Sequence, residues 1–243
     1  MWKETQIRRF RFEERDALVV VPEGTANGSL LWKAEYFGAF PNFEEAMVER
    51  GYHLCFITHE NRWAPPEEVE LSARFLAYVA EQFALEPQCV AVGMSCGGLL
   101  SANLSIAHPE LVAVMYLDAP VLNLLSMAGL GEAAYRPEMF REMVAAYGFD
   151  RSTVVAFRES PIDHLDSLLK SRIPLIMLYG NADLTVIYEE NGRVLERFYR
   201  QHGMPLKVIS RSVAGHHPHS LDDPAPIIEF VETYLQNRTI EHA

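Results

Sequence analysis

Cysteine is scarce in this chain, with three among 243 residues. Cys55, Cys89 and Cys96 are odd in number and share no C-x-x-C spacing, which argues against a disulfide framework and a structural zinc site. A reducing, cytoplasmic setting is therefore expected. Long apolar runs are also missing. No stretch approaches the roughly 18–20 residues that a membrane helix needs. The mixed-charge start from Met1 to Phe10 lacks the apolar segment of a secretory signal. Basic residues are in deficit: 21 Lys and Arg against 33 Asp and Glu leave a formal net charge of -12. Such a surface disfavours phosphate backbones and anionic lipids, so neither nucleic acid nor membrane is an expected partner. Internal repeats and low-complexity linkers are absent too. What remains is ordinary globular composition, 49% hydrophobic and 22% charged. The length suits one α/β domain over residues 1–243. The sequence does not specify an oligomeric state.

Strand-like and helix-like segments alternate through most of the chain, which predicts a mostly parallel sheet with helices on both faces. Phe10 to Phe12 reads as an edge strand, and the β-branched run Ala17 to Val21 as an interior one. Pro22 to Gly28 is a loop. Strands follow at Tyr52–Thr58, Cys89–Val92, Leu111–Leu117, Leu175–Tyr179 and Leu206–Ser210. Helices are predicted at Phe43–Arg50, Pro65–Phe83, Gly98–His108, Asn191–His202 and Ile227–Asn237. Between residues 119 and 172 the alternation stops. That stretch reads as a small helical cap, with candidates at Pro137–Ala146, Ser152–Arg158 and Ile162–Lys170.

The chemistry concentrates at strand ends. Gly93-Met94-Ser95-Cys96-Gly97 reads G-x-S-x-G between a buried strand and a helix, the setting of a nucleophile elbow. Side chains at the two glycines would collide with the neighbouring strand and helix. Asp183 follows the strand ending at Tyr179, and Ala214-Gly215-His216-His217-Pro218-His219 follows the last strand. Parallel strands open their carboxyl ends onto one crevice, so the three can share a rim. A serine hydroxyl needs a base within hydrogen-bond reach, histidine titrates near neutrality, and aspartate fixes its tautomer. Asp118 is the rival acid and His217 the second candidate for the base. An oxyanion hole needs two donors. The backbone N–H of Cys96 is one, and Gly24, in the loop after Ala17–Val21, is the expected other. A metal held by His216, His217 and His219 is disfavoured, because zinc wants three convergent ligands and Pro218 stiffens the loop. No metal and no organic cofactor is expected.

With these pieces assembled, the chain resembles the α/β-hydrolase superfamily over nearly its whole length. Within it, the chain looks like bacterial esterase-like members with a G-H-H-P-H tail motif, here Gly215 to His219. The resemblance implies Ser95 as nucleophile, Asp183 as acid and His216 as base. It implies a serine esterase acting on a small-molecule ester, with acylated carbohydrates suggested by analogy. One departure concerns the oxyanion loop, where many members carry His-Gly and this chain has Pro22-Glu23-Gly24. C–C hydrolysis, lyase or peptidase chemistry, and a non-catalytic binding protein, are the alternatives on the same fold. Peptidase members commonly carry a large extra domain, which weighs against that alternative here. Trp32, Tyr36 and Phe37 are candidates for an acyl pocket or for the core. Met127, Met139 and Met143 suit core filling in the cap, with an apolar lid as the other role.

Overall fold

The computed structural model describes residues 2–241, so Met1, His242 and Ala243, at the ends of the expected domain, lie outside the described residues. Eight strands form one sheet: β1 (Ile7–Phe12), β2 (Arg15–Val20), β3 (Leu30–Lys33), β4 (His53–Ile57), β5 (Cys89–Met94), β6 (Val112–Asp118), β7 (Leu175–Gly180) and β8 (Leu206–Arg211). Their order is β1-β2-β4-β3-β5-β6-β7-β8. β2 runs antiparallel to β1 and β4, and every other pairing is parallel. This is the α/β-hydrolase architecture.

The pleat explains the burial pattern. Cys89 and Ala91 of β5, with Met115 and Leu117 of β6, face one apolar cluster, while Val90, Val92, Val114 and Tyr116 face the other. Helices α2 (Pro66–Phe83), α3 (Cys96–Ala107) and α6 (Gly192–Gln201) cover the first face, through residues such as Phe75, Leu99 and Tyr199. Helices α1 (Asn42–Glu49) and α7 (Ala225–Glu241) cover the second, through Phe43, Met47 and Val231. With both faces covered, β5 and β6 are buried at every position and read as unbroken apolar runs. α2 opens as predicted, with Pro66 in its first turn followed by Glu67 and Glu68, which suit the amino-terminal dipole.

Two expectations need correction. The sequence reading missed β3, whose four buried residues Leu30–Lys33 sit between β4 and β5. A four-residue strand is too short to show a period. The cap also holds less helix than predicted. Helix α4 (Pro137–Tyr147) forms, but Ser152–Arg158 reduces to a 3-10 turn at Val154–Ala156. Asp150 Oδ1 accepts the Ser152 and Thr153 amides at 2.7 and 2.9 Å, offering the backbone a turn in place of a helix. Ile162–Lys170 breaks into 3-10 turns at Pro161–Asp163 and Leu165–Ser167, then the four-residue α5 (Leu168–Ser171).

Candidate active site

Ser95 sits between β5 and α3 with φ 53° and ψ -119°, a conformation costly for a residue with a side chain. The fold enforces it. Ser95 N donates to Asp118 O at 3.0 Å, and Val121 N donates to Ser95 O at 3.0 Å. A Cβ on Gly93 would come within 2.6 Å of Gly97 O and 2.7 Å of Gly98 Cα, so strand and helix can close this tightly only over glycine. The elbow thereby lifts the serine hydroxyl above the carboxyl ends of the parallel strands.

The partners arrive from the two adjacent strands β7 and β8. Their loops are joined by Ala182 N donating to Ala214 O at 2.9 Å. A Cβ on Gly180 would strike Ala214 O and Gly215 O, so this approach also requires glycine. His216 Nδ1 lies 2.7 Å from Asp183 Oδ2, and His216 Nε2 lies 3.0 Å from Ser95 Oγ. Asp183 Oδ1 accepts the N–H groups of Thr185 and Val186 at 2.8 and 3.0 Å. Burial opposes the Asp183 charge, but His216 and these two amides outweigh it and hold the carboxyl below the usual aspartate range. An ionised Asp183 keeps the proton on Nδ1 and leaves Nε2 free to accept one from Ser95.

The rival residues do other work. Asp118 is fully buried at the end of β6. It accepts Arg211 Nη2 at 2.7 Å and Ser220 N at 2.6 Å, and His219 Nδ1 lies 3.2 Å away. Arg211 also donates to Pro218 O and Ser220 O. Asp118 therefore anchors the loop that carries His216 and does not touch His216 itself. His217 is exposed and stacks on Phe40, with ring centroids 5.8 Å apart. Partial burial and the nearby His216 and His219 rings push His217 below the ordinary histidine range. Ligand-capable atoms of His216, His217 and His219 all lie within 4.8 Å of one another, yet both His216 nitrogens already face partners.

Gly24 is a correction. β2 is antiparallel to β4, pairing Val20 with Leu54 and Ala17 with Ile57, so its carboxyl end lies at the amino ends of the parallel strands. Gly24 is exposed there, in a separate hollow with Trp2, Lys3 and Glu23, at the wrong edge for an oxyanion donor. The loop that passes the elbow follows the missed strand β3. A Cβ on Gly97 would lie 3.2 Å from Glu35 Cβ, and the next residue, Tyr36, shares a cavity with Ser95 and Cys96. Burial and the neighbouring Cys96 thiol push the Tyr36 hydroxyl well above the usual tyrosine range, so it stays a donor. The findable signal was Leu30-Leu31-Trp32-Lys33, a short apolar run with Tyr36 just beyond it. Trp32 is core, and Phe37 packs between Trp2 and Phe56. Burial pushes the Cys96 thiol up to about 11, which makes it an inert apolar group.

The cavity above Ser95 measures about 410 Å³. Its floor is Met94, Ser95, Cys96 and His216, and its walls include Tyr36, Phe40, Arg62 and Trp63. From the cap come Met127, Arg136 and Met139, whereas Met143 is buried in the core. The cap is tied to the wall through α4. Glu142 Oε2 accepts Arg62 Nε and Trp63 Nε1, each at 2.8 Å, and the Tyr147 hydroxyl donates to Trp63 O at 2.7 Å.

An α/β-hydrolase sheet with serine, histidine and aspartate converging at its rim defines the class of the serine hydrolases. The family is narrower: residues 70–238 match the prolyl oligopeptidase family, and the chain belongs to it. No curated protein matches the sequence. Among solved structures, a puromycin hydrolase is similar over 95% of this chain at 20% identity and a TM-score of 0.70. A puromycin-hydrolyzing peptidase of Mycobacterium tuberculosis is similar over 93%, at 15% identity and 0.71. This chain spans 39% and 38% of the lengths of those two proteins. A truncated carbohydrate esterase from gut microbiota is similar over 92% of this chain and 91% of its own, at 16% identity and 0.69. Among the described residues no helix is long and apolar enough to cross a membrane.

Proposed function

We propose that this chain hydrolyses carboxylic esters through an acyl-enzyme formed on Ser95. One observation carries the reading: His216 bridges Ser95 and Asp183 at 3.0 and 2.7 Å on the floor of an open cavity. Ser95 Oγ attacks the acyl carbon while His216 Nε2 takes its proton. Asp183 orients the ring and stabilises the imidazolium. The Cys96 N–H and the Tyr36 hydroxyl receive the negative charge on the tetrahedral oxygen. His216 then protonates the leaving alcohol, deprotonates a water, and the acid departs. A likeness along nearly the full length of a carbohydrate esterase supports small acyl esters of carbohydrates as substrates. The tail Gly215 to His219 supports the same class. The buried free thiols of Cys55, Cys89 and Cys96 support a reducing compartment, the cytoplasm being the natural one.

Short-chain 4-nitrophenyl esters and a fluorophosphonate probe test the reading. Turnover and labelling are both expected, and both should vanish in Ser95→Ala. Failure of the wild type on every ester would sink it. Labelling without any turnover would favour other α/β-hydrolase chemistry, and no labelling would favour a binding protein. The family and the two puromycin-hydrolysing neighbours favour a second reading, cleavage of an amide by the same attack. Aminoacyl 4-nitroanilides assayed beside the esters separate the two, since amide preference would show as the larger kcat/KM.

A further inference from the structure

The cavity over Ser95 is cationic in a chain whose formal net charge is -12. Two arginines and three histidines line it, and no carboxylate does. Asp183 lies behind His216 and faces that ring. Arg62 is matched by Glu142 at 2.8 Å. Arg136 is different. It enters from the cap, immediately before α4, and is half-buried. Among the described residues it has no carboxylate partner, and its guanidinium makes one long contact, 3.4 Å from Nη2 to Thr185 Oγ1. Thr185 N is bonded to Asp183, so this contact sets the guanidinium beside the acid loop, in the cavity that holds Ser95.

No guanidinium nitrogen of Arg136 is both buried and unpartnered, so its free donors open onto the cavity, where a ligand can take them. Its planar fork fits a carboxylate with two parallel hydrogen bonds. One unmatched cation suits a monoanion better than a phosphate dianion. We infer that Arg136 is an anion subsite, and that the ester cleaved at Ser95 carries a carboxylate close to the scissile bond. This inference rests on the ester-hydrolase reading above and names its substrate class. The subsite also has an electrostatic purpose: an acidic protein repels an acidic substrate at long range, and a local cation offsets that repulsion where the substrate must dock.

Two matched pairs of esters test it. On the acyl side, 4-nitrophenyl hemiglutarate is compared with 4-nitrophenyl valerate. On the alcohol side, 4-acetoxybenzoate is compared with its methyl ester. In one of the pairs the wild type should prefer the anionic member in kcat/KM. Arg136→Gln should lower that preference roughly 10- to 100-fold, the range for a charge-assisted hydrogen bond, and Arg136→Lys should restore part of it. Arg141→Gln removes an exposed cap charge outside the cavity and should leave the ratio unchanged. Absence of anionic preference in both pairs, or an equal drop in Arg141→Gln, overturns the subsite. Loss of turnover on neutral and anionic esters alike would instead strike the hydrolase reading. In that event, calorimetry on Ser95→Ala decides the subsite. Monomethyl glutarate should bind more tightly than dimethyl glutarate, and the difference should disappear when Arg136→Gln is added. Equal binding of the two overturns it.

Discussion

The floor and the roof of the cavity are built differently. The floor hangs from the ends of β5, β6, β7 and β8, and its polar groups are tied to one another. Ser95 is bonded to the backbone of Asp118, Asp118 to Arg211 and Ser220, and the β7 loop to the β8 loop. The roof is a run of short turns and one three-turn helix, tied to the wall chiefly through Glu142 and Tyr147. Catalytic geometry tolerates little displacement, since a misplacement of about 1 Å can cost roughly 100-fold in rate. Substrate selection needs only a surface of suitable shape and charge. On the proposed function, chemistry belongs to the sheet rim and choice of substrate to the cap, and each half of that division can be broken separately.

The largest effects belong to the floor. Ser95→Ala should lower kcat by about 10⁴- to 10⁶-fold, the range seen when a serine nucleophile is removed, while leaving the melting temperature near the wild-type value. Two buried carboxylates then give a contrast within the floor. Asp183→Asn should cost about 10⁴-fold in kcat by stabilising the wrong tautomer of His216. Asp118→Asn removes the partner of Arg211 and should cost about 3 kcal/mol of stability, the order found when one member of a buried pair is lost, as measured by urea unfolding. Acid titration separates them further. Asp183 is held below its ordinary value of about 3.9. The unfolded chain therefore binds the proton first, and the stability Asp183 contributes is complete above that pH and lost as pH falls through the lower folded value. The melting temperature of Asp183→Asn should fall less steeply than that of wild type below about pH 4.

Legibility in the sequence followed the same division. Ser95 and Asp183 could be set on one rim because each follows a buried apolar strand, and His216 because it follows the last strand, since the carboxyl ends of parallel strands share one destination. Cys96 came with the elbow. Gly24 was misplaced because Ala17–Val21 looks like a parallel interior strand, and strand direction leaves no trace in composition. The loop that passes the elbow follows β3, four residues long, so in the sequence Tyr36 reads only as a candidate for an acyl pocket or for the core. Asp118 and Asp183 both end apolar strands. Their partners in the fold, Arg211 and Ser220 for Asp118 and His216 for Asp183, tell anchor from acid. In the cap, Asp150 and the Ser160–Asp163 pair turned expected helices into turns, because local side-chain bonds competed with a helix too short to propagate.

Gly180 tests whether the floor is one unit. A Cβ there meets Ala214 O and Gly215 O, backbone atoms of the loop that carries the base. Gly180→Ala should therefore push His216 away from Asp183 without altering any group that reacts. A loss of about 100-fold in kcat is expected, with KM for a neutral nitrophenyl ester changing far less. Equal losses in both parameters would mean that the substitution deforms the cavity as a whole, and the floor would no longer count as a separately rigid element.

The smallest effect belongs to the tie between the halves. Glu142 is half-exposed, so its ion pair with Arg62 is worth at most about 1 kcal/mol, and the cap keeps the Tyr147 bonds when that pair is lost. Glu142→Gln preserves an acceptor for Trp63 Nε1 while removing the charge. The melting temperature should fall by only a few degrees, and kcat for a neutral ester should stay within about twofold, because nothing on the floor moves. The charge left behind makes the variant informative. Arg62 lines the cavity and would lose its counter-ion, giving the roof and wall a second unmatched guanidinium beside Arg136. KM for an anionic ester should fall relative to its neutral partner, the opposite direction from Arg136→Gln. A drop in kcat on both esters would show that the cap positions the reacting groups as well as the substrate, and the separation of floor from roof would fail at that point.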